Sequence, residues 1–319
     1  MRKILTALCA VAATLLAASC EKTIEFNGEQ MEPRLTLSSQ ALVGEPLSAF
    51  VASSIFFLSD DRGGKAFTDP LDTSAGYVRC IVNGEKTPRQ MFLTPGVTPS
   101  ALCYMADYVP APGDHIRLEA SFPGFDPVWA ETDVPLMPSA EVLSVRWKKM
   151  DSESFQWLFD DEESEYYEAE ISIAVNDDAS YDKYYFLQPV TISRNPFIDE
   201  DMVNNWAFTS NDVIFRDTGS DVSAESLVID SYCFSDAMFK GKRHEFTISV
   251  SWMPNPGTID SFRLKIATIS ESLYWYDKSY SRVSGMIPGF FSEGAALYSN
   301  VHGGYGAFGA AAVVWLDVE

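Results

Sequence analysis

The chain has 319 residues, of which 45 are Asp or Glu and 23 are Lys or Arg, so its net charge at pH 7 is −22. So acidic a chain lacks the cationic surface that binds phosphate backbones, which excludes a nucleic-acid-binding protein. Its length is sufficient for two ordinary domains.

The first 19 residues have the layout of a secretory signal peptide. Arg2 and Lys3 precede an apolar run over residues 4–18, which is shorter than the roughly 20 residues that span a bilayer as a helix. The run ends in Ala18-Ser19-Cys20, which resembles the bacterial lipobox, where the cysteine is acylated and becomes the first residue after cleavage. We predict a signal peptide over residues 1–19, lipid attachment (palmitate) at Cys20 and a tether over residues 20–32. The alternative is an ordinary cleaved signal with Cys20 nearby.

Short alternating runs separated by turn signals predict a β-sandwich in residues 33–137. In residues 115–122 every second side chain is apolar, which is the period of a half-buried strand. Asn83-Gly84 follows another such run and is a hairpin turn signal. The predicted strands are residues 34–38, 49–58, 77–82, 102–105, 115–122 and 128–134.

A second β-rich domain is predicted over residues 138–319. Pro135 and Pro138 mark the boundary, because proline ends strand pairing and stiffens a linker. Residues 271–283 are predicted to form one short helix, which Ser270 or Ser272 could cap, and residues 195–211 a long loop. The predicted strands are residues 142–148, 166–174, 184–192, 213–216, 245–253, 261–270 and 310–318.

Three cysteines remain once Cys9 leaves with the leader and Cys20 is lipidated. Cys80 and Cys103 lie in predicted strands and could form a disulfide in an oxidising compartment. Free buried thiols at these positions and at Cys233 are the alternative. No spacing among them is typical of a metal site.

The segment Gly304-Tyr305-Gly306-Ala307-Phe308-Gly309 formally matches a dinucleotide-binding fingerprint. That motif requires a following helix and an acidic residue about 20 positions later, but only ten residues follow Gly309 and they predict a strand. We therefore predict no cofactor. The glycines predict a turn in which Tyr305 and Phe308 pack or make an interaction while backbones approach closely.

The remaining polar residues predict neither a metal site nor an enzyme. Acidic clusters at residues 160–163, 177–178 and 199–201 lack the calcium-loop pattern and are interpreted as solvated loops. His115, His244 and His302 are the only histidines, and no HExxH or G-x-S-x-G motif accompanies them. A hydrolase that uses scattered acids is an alternative, and it would require two carboxylates about 5 to 9.5 Å apart in a cleft.

The sequence Tyr298-Ser299-Asn300-Val301-His302-Gly303-Gly304-Tyr305-Gly306-Ala307-Phe308-Gly309 resembles the closing motif of a Bacteroidetes lipoprotein family catalogued as domain of unknown function 4249. Further stretches agree with that family: Cys20-Glu21-Lys22, Pro112-Gly113-Asp114-His115-Ile116-Arg117-Leu118, Val134-Pro135 and Phe239-Lys240-Gly241-Lys242. The resemblance implies an immunoglobulin-like N-terminal β-domain, a second β-rich domain and frequent association with TonB-dependent outer-membrane receptors. It implies no catalytic residues.

These observations predict a non-enzymatic lipoprotein of the outer membrane, facing the cell surface or the periplasm. It would act as an accessory or binding subunit of a TonB-dependent transporter in nutrient uptake, by capture or gating through exposed aromatic side chains. A cell-surface adhesin or structural surface protein is the alternative, since sandwich folds serve there as well.

Overall fold

A computed structural model describes residues 32–54, 71–94, 101–150, 166–194, 201–215, 232–284 and 296–318. One compact unit comprises Pro33–Ser54 and Ala66–Glu319. The other comprises Met1–Glu32 and Ile55–Lys65 and, apart from Glu32, lies outside the described residues. The predicted signal peptide and Cys20 therefore also lie outside them. Among the described residues, no helix has the length and apolar character needed to span a membrane.

The described chain is mainly β, which confirms the predicted fold class. One α-helix, α1, covers Glu271–Ser284, and short 3-10 turns cover Val213–Phe215 and Pro256–Thr258. The strands are β1 Leu35–Leu42, β2 Ser48–Ser53, β3 Tyr77–Val82, β4 Arg89–Gln90, β5 Phe92–Leu93, β6 Leu102–Met105, β7 His115–Ser121, β8 Val128–Asp133, β9 Ser139–Lys149, β10 Tyr167–Asn176, β11 Tyr184–Arg194, β12 Asp201–Asn205, β13 Cys233–Ser235, β14 Arg243–Met253, β15 Ser261–Ile269 and β16 Phe308–Asp317.

Local signals located most elements correctly. The predicted turn at Asn83-Gly84 is confirmed, because both residues have positive φ (51° and 69°) and Glu85 N–H donates to Val82 O at 3.0 Å. The predicted cap is also confirmed, since Ser270 Oγ accepts the Leu273 N–H at 3.4 Å.

Two predictions in the second half are wrong. Val213–Phe215 is a 3-10 turn and not a strand, because the Asp212 side chain accepts the Ile214 N–H at 3.0 Å and thereby favours a tight turn. Residues 201–205 of the predicted loop form β12, which pairs with the end of β11.

The strands form three sheets. The largest has nine strands in the order β12-β11-β15-β16-β1-β2-β6-β5, with β13 also paired to β11. The others have the orders β4-β3-β7-β8 and β14-β10-β9. The parallel pair β1–β16 brings the C-terminal strand against the first described strand, with Ser39 opposite Phe308.

One face of the nine-stranded sheet, the inner face, packs against the two smaller sheets and forms two hydrophobic cores. The first core lies against the four-stranded sheet and includes Leu37, Val51, Tyr104, Leu118 and Phe308. The second core lies against the three-stranded sheet and includes Ile171, Tyr185, Leu187, Ile248, Leu264 and Ile266. This is sandwich packing, as the alternating strands predicted.

The nine-stranded sheet contains strands from both sides of the predicted domain boundary at residue 137, whereas the first core is formed mainly by residues before it. Strands from both predicted domains hydrogen-bond within the nine-stranded sheet. The buried residues of the first core come from residues 35–134, with the addition of Val301, Phe308 and Ala310. The two-domain division stays a prediction.

Candidate binding surface on the outer face of the nine-stranded sheet

The glycine-rich motif lies along β1 and closes the first core. Leu37 N–H donates to Tyr305 O at 2.8 Å, and Tyr305 N–H donates to Leu35 O at 3.0 Å. A Cβ on Gly304 would lie 2.2 Å from Leu35 O, and one on Gly306 would lie 2.1 Å from Leu37 O. The predicted close approach of backbones is therefore confirmed, and only glycine permits it.

Side chains of the same motif fix it to the neighbouring strands. Asn300 Oδ1 accepts the Phe308 N–H at 2.9 Å, and Asn300 Nδ2 donates to Phe308 O at 2.9 Å and to Glu131 O at 3.1 Å. The His302 ring stacks on Trp129 with 3.8 Å between ring centroids and 10° between planes. These contacts have a structural role, since they join the motif to β8 and β16.

The two motif residues singled out from the sequence occupy different environments. Phe308 is fully buried in the first core. Tyr305 is 36% exposed, and the Arg34 guanidinium lies 5.9 Å from its ring centroid. Phe308 therefore packs in the core, and only Tyr305 of the two is at the surface.

An exposed apolar patch lies at the β5 end of the sheet's other face, the outer face. Phe50 on β2 is opposite Cys103 on β6, and Phe92 on β5 is opposite Met105 on β6. Because residues two apart on a strand share a face, Phe50, Met105 and Phe92 lie on the same face. They are 45%, 37% and 64% exposed. We call these three residues the apolar patch.

Helix α1 lies on the middle of the outer face. Gly309 of β16 allows this packing, because a Cβ there would lie 2.6 Å from Leu273 Cβ. The Tyr274 ring stacks on Tyr184 of β11 at a centroid distance of 4.5 Å. With Ile269 and Ala311, these residues belong to a third, smaller hydrophobic cluster.

A cleft of about 270 Å³ separates part of α1 from the sheet. Most of its wall is apolar. The lining residues are Gln40, Leu42, Phe186, Cys233, Lys265, Ala267, Ile269, Leu273, Asp277, Ala311 and Val313. The register places Lys265 opposite Trp315 and Ala267 opposite Val313, so Trp315, which is 51% exposed, is the neighbour on β16 of a lining residue.

A cluster of buried ions lies at one end of the second core. Lys183 Nζ is 3.0 Å from Asp177 Oδ1 and also pairs with Asp178, and the side chains of Lys183 and Asp177 are 8% and 0% exposed. Burial would raise the pKa of Asp177, but the Gly241 N–H and Lys183 outweigh it and lower that pKa. The interpretation of Asp177 as part of a solvated loop is therefore wrong.

Asp236 in the same cluster behaves differently. It is 2% exposed, and its Oδ2 accepts the backbone N–H of Lys183 at 3.1 Å. Burial raises the pKa of Asp236.

The histidines lie far apart in the sequence and have separate neighbours. His115 Nδ1 lies 2.7 Å from Asp133 Oδ1, and His244 Nε2 lies 3.1 Å from Asp212 Oδ1. Within the described ranges, no three His, Cys, Asp or Glu side chains are grouped so as to hold a metal ion. The acidic cluster 160–163 lies outside those ranges, as do residues 199–200 of the cluster 199–201, whose Asp201 begins β12.

Cys80, Cys103 and Cys233 are buried, and no disulfide joins any two of them. Cys80 belongs to the first core. Cys103 lies on the other side of the nine-stranded sheet, opposite Phe50, so the sheet separates the two thiols. Of the alternatives that the sequence left open, the structure contains buried thiols at Cys80 and Cys103 and no disulfide between them.

A family model described as "Domain of unknown function (DUF4249)" matches residues 21–315. The chain belongs to the DUF4249 family. The match includes the C-terminal motif, apolar patch, α1 and the cleft described above.

Other comparisons add little to this DUF4249 chain. No curated protein matches it. Among solved structures, the chain is similar to the FN1–FN3 domains of chicken CNTN1, with 11% sequence identity over 91% of this chain and 69% of that chain. The TM-score is 0.24, so this likeness carries no argument.

Sequence reasoning did not find the cleft of this DUF4249 protein. Lys265, Leu273 and Asp277 belong to elements that were predicted, but nothing local indicates that α1 packs on β16. A partial signal exists in β15, where the residues on one face change from Arg263 and Lys265 to Ala267 and Ile269.

Proposed function

We propose that this DUF4249 protein is a non-enzymatic binding or accessory subunit, attached to the outer membrane of a Bacteroidetes bacterium by a palmitoylated Cys20. In this proposal it works with a TonB-dependent transporter in nutrient uptake, at the cell surface or on the periplasmic face. The observation that carries the proposal is the apolar patch on β2, β5 and β6.

The apolar patch has the composition of a protein contact. Large contiguous apolar areas are rare on monomeric soluble proteins and commonly mark interaction sites. Aromatic residues and methionine are enriched at interfaces, whereas charged residues are depleted from their centres. Phe50, Phe92 and Met105 meet this description in a chain whose net charge is −22.

The membrane attachment in this proposal depends on Cys20. Each buried methylene of an acyl chain contributes about 0.8 kcal/mol, and two or more chains hold a protein stably at a membrane. Labelling growing cells with palmitate tests this attachment. We expect label in the wild type and none in Cys20→Ala; a wild type without label would contradict it.

Affinity capture from detergent-solubilised outer membranes tests the partner. We expect a TonB-dependent transporter to be recovered with the tagged wild type, and the double variant Phe50→Ser/Phe92→Ser to recover about tenfold less, since each 1.4 kcal/mol of contact energy is a factor of ten.

The matched control is Val203→Ser on β12, at the opposite end of the nine-stranded sheet, where Val203 is 61% exposed. This variant should recover as much transporter as the wild type. Recovery of the tagged protein alone, or equal loss in the control, would contradict the proposal.

A further inference from the structure

Two cations on the outer face of β15 have different surroundings. Arg263 Nε donates to Asp317 Oδ1 of β16 at 2.9 Å. Two residues later, Lys265 has Trp315 as its neighbour on β16, and Lys265 Nζ lies 6.0 Å from the Trp315 ring centroid and 5.8 Å from that of Phe186. In the described part of the chain, Lys265 forms no ion pair.

This arrangement is unusual in so acidic a chain. Lys265 is half-buried and lines the cleft, so its ammonium is available to a ligand in the cleft. Aromatic faces supply a modest attraction, about 0.5 to 1 kcal/mol at exposed sites. A carboxylate would supply a charge-assisted hydrogen bond, which is about twice as strong as a neutral one.

The rest of the cleft suits an apolar group. Ala267, Val313 and Leu273 line it from the sheet and from α1. Its volume of about 270 Å³ is slightly below the roughly 300 to 1,000 Å³ of pockets for drug-sized ligands. The cleft therefore admits a small molecule and excludes a helix or a folded partner.

We propose that this cleft binds a small amphipathic carboxylate, with its anionic group at Lys265 and its apolar body between α1 and strands β15 and β16. Lys265 is the cation of the cleft lining, whereas Asp277 lines the cleft from α1, so a carboxylate is attracted to Lys265 and not to Asp277. This inference goes beyond the proposed function, because it depends on the cleft and not on a transporter.

Calorimetric titration of the full-length protein in lipid nanodiscs tests the inference, with empty nanodiscs as the blank. The probes are 4-phenylbutyrate and its neutral isostere 4-phenylbutanamide. We expect the carboxylate to bind about tenfold more tightly than the amide, as a charge-assisted hydrogen bond implies. Lys265→Gln should remove this preference, and Lys265→Arg should retain it.

Arg263→Gln is the matched control, since it removes the neighbouring cation that already has a carboxylate partner. It should keep the preference for 4-phenylbutyrate. Equal affinities for the two probes in the wild type, no binding of 4-phenylbutyrate, or equal loss in Arg263→Gln and Lys265→Gln would overturn the inference. Failure to capture a transporter would leave these binding results unchanged, so the two proposals fail separately.

Discussion

The first core is closed by backbone contacts of the C-terminal motif, whereas the second core is closed by a cluster of buried ions. In the motif, Gly304 and Gly306 lie against the carbonyl oxygens of β1, and Asn300 satisfies both backbone groups of Phe308. In the cluster, Asp177 and Lys183 form a buried ion pair. The motif and the ion cluster each lie beside one of the two cores, and both cores pack against the same nine-stranded sheet.

The difference determines how each end responds to substitution and to pH. The contacts of Gly304 and Gly306 and the hydrogen bonds of Asn300 contain no titratable group, so this part of the motif should respond to the volume of a side chain and not to protonation. Burying an ion pair costs desolvation energy, which is offset only while both partners are charged. The stability that the cluster supplies should therefore depend on both Asp177 and Lys183 and on pH.

The largest effect is expected from Asp177→Ala. It leaves Lys183 with a reduced set of partners at a buried position, and the N–H groups of Gly241 and Ala179 lose their acceptor. Breaking a buried pair on one side costs about 3 to 5 kcal/mol. The free energy of unfolding by urea, followed by tryptophan fluorescence at pH 7, measures this loss.

Asp182→Ala is the control for that substitution, because Asp182 pairs with Lys240 but is 74% exposed. An exposed pair contributes little because water screens it, so the control should lose little stability. Equal losses in the two variants would show that the buried Asp177–Lys183 pair contributes no more to the free energy of unfolding than the exposed Asp182–Lys240 pair.

A smaller effect is expected at the other end from Gly306→Ala. Gly306 has a φ of +114°, and a Cβ would lie 2.1 Å from Leu37 O, so strain and overlap together should cost about 2 to 3 kcal/mol. The same urea experiment measures the loss.

Gly44→Ala separates the two causes. Gly44 also has a positive φ, +88°, but a Cβ there would have no atom within 4 Å. Only the conformational cost of a positive φ remains, about 1 to 2 kcal/mol. Should both glycine variants lose the same stability, contact with β1 would not explain the requirement for glycine in the motif.

Local patterns in the sequence predicted elements well because each strand's environment repeats every two residues. The alternation of β7 and the turn at Asn83-Gly84 are properties of a few neighbouring residues. The glycines of the motif were also informative, since close backbone approach is a common reason for several glycines in one turn.

Partners across long sequence separations could not be predicted in this way. The pairing of Ser39 with Phe308 in β1 and β16 depends on which strands meet, and no local pattern encodes it. Adjacent aspartates at Asp177 and Asp178 have the appearance of a solvated loop. Asp177 is buried because the Gly241 segment and Lys183 supply its partners. The cleft was missed for the same reason, since it exists only where α1 rests on Gly309.

Asp236→Asn is expected to have the smallest effect on the free energy of unfolding. It removes the charge of Asp236 but keeps nearly the same side-chain volume, so it separates charge from packing within the ion cluster. Burial raises the pKa of Asp236, so its contribution to stability is complete only below its unfolded value, about 3.9, and is lost as pH rises through the folded pKa. The ionised group is therefore unfavourable at pH 7. Asparagine keeps an oxygen for the Lys183 N–H, so we expect a small gain in the free energy of unfolding at pH 7.

Asp177→Asn should show the opposite pH dependence, because the pKa of Asp177 is lowered by the Gly241 N–H and Lys183. Its contribution is present above about pH 3.9 and lost as pH falls through the folded pKa. Urea unfolding at about pH 3.5 and about pH 7, below and above the unfolded pKa of aspartate, measures both dependences. The gain in stability of Asp236→Asn should vanish at the acid pH, and the loss in stability of Asp177→Asn should shrink there. If Asp236→Asn instead loses as much stability as Asp177→Asn at pH 7, the ionised Asp236 stabilises the cluster, and charge balance rather than desolvation controls that end of the second core.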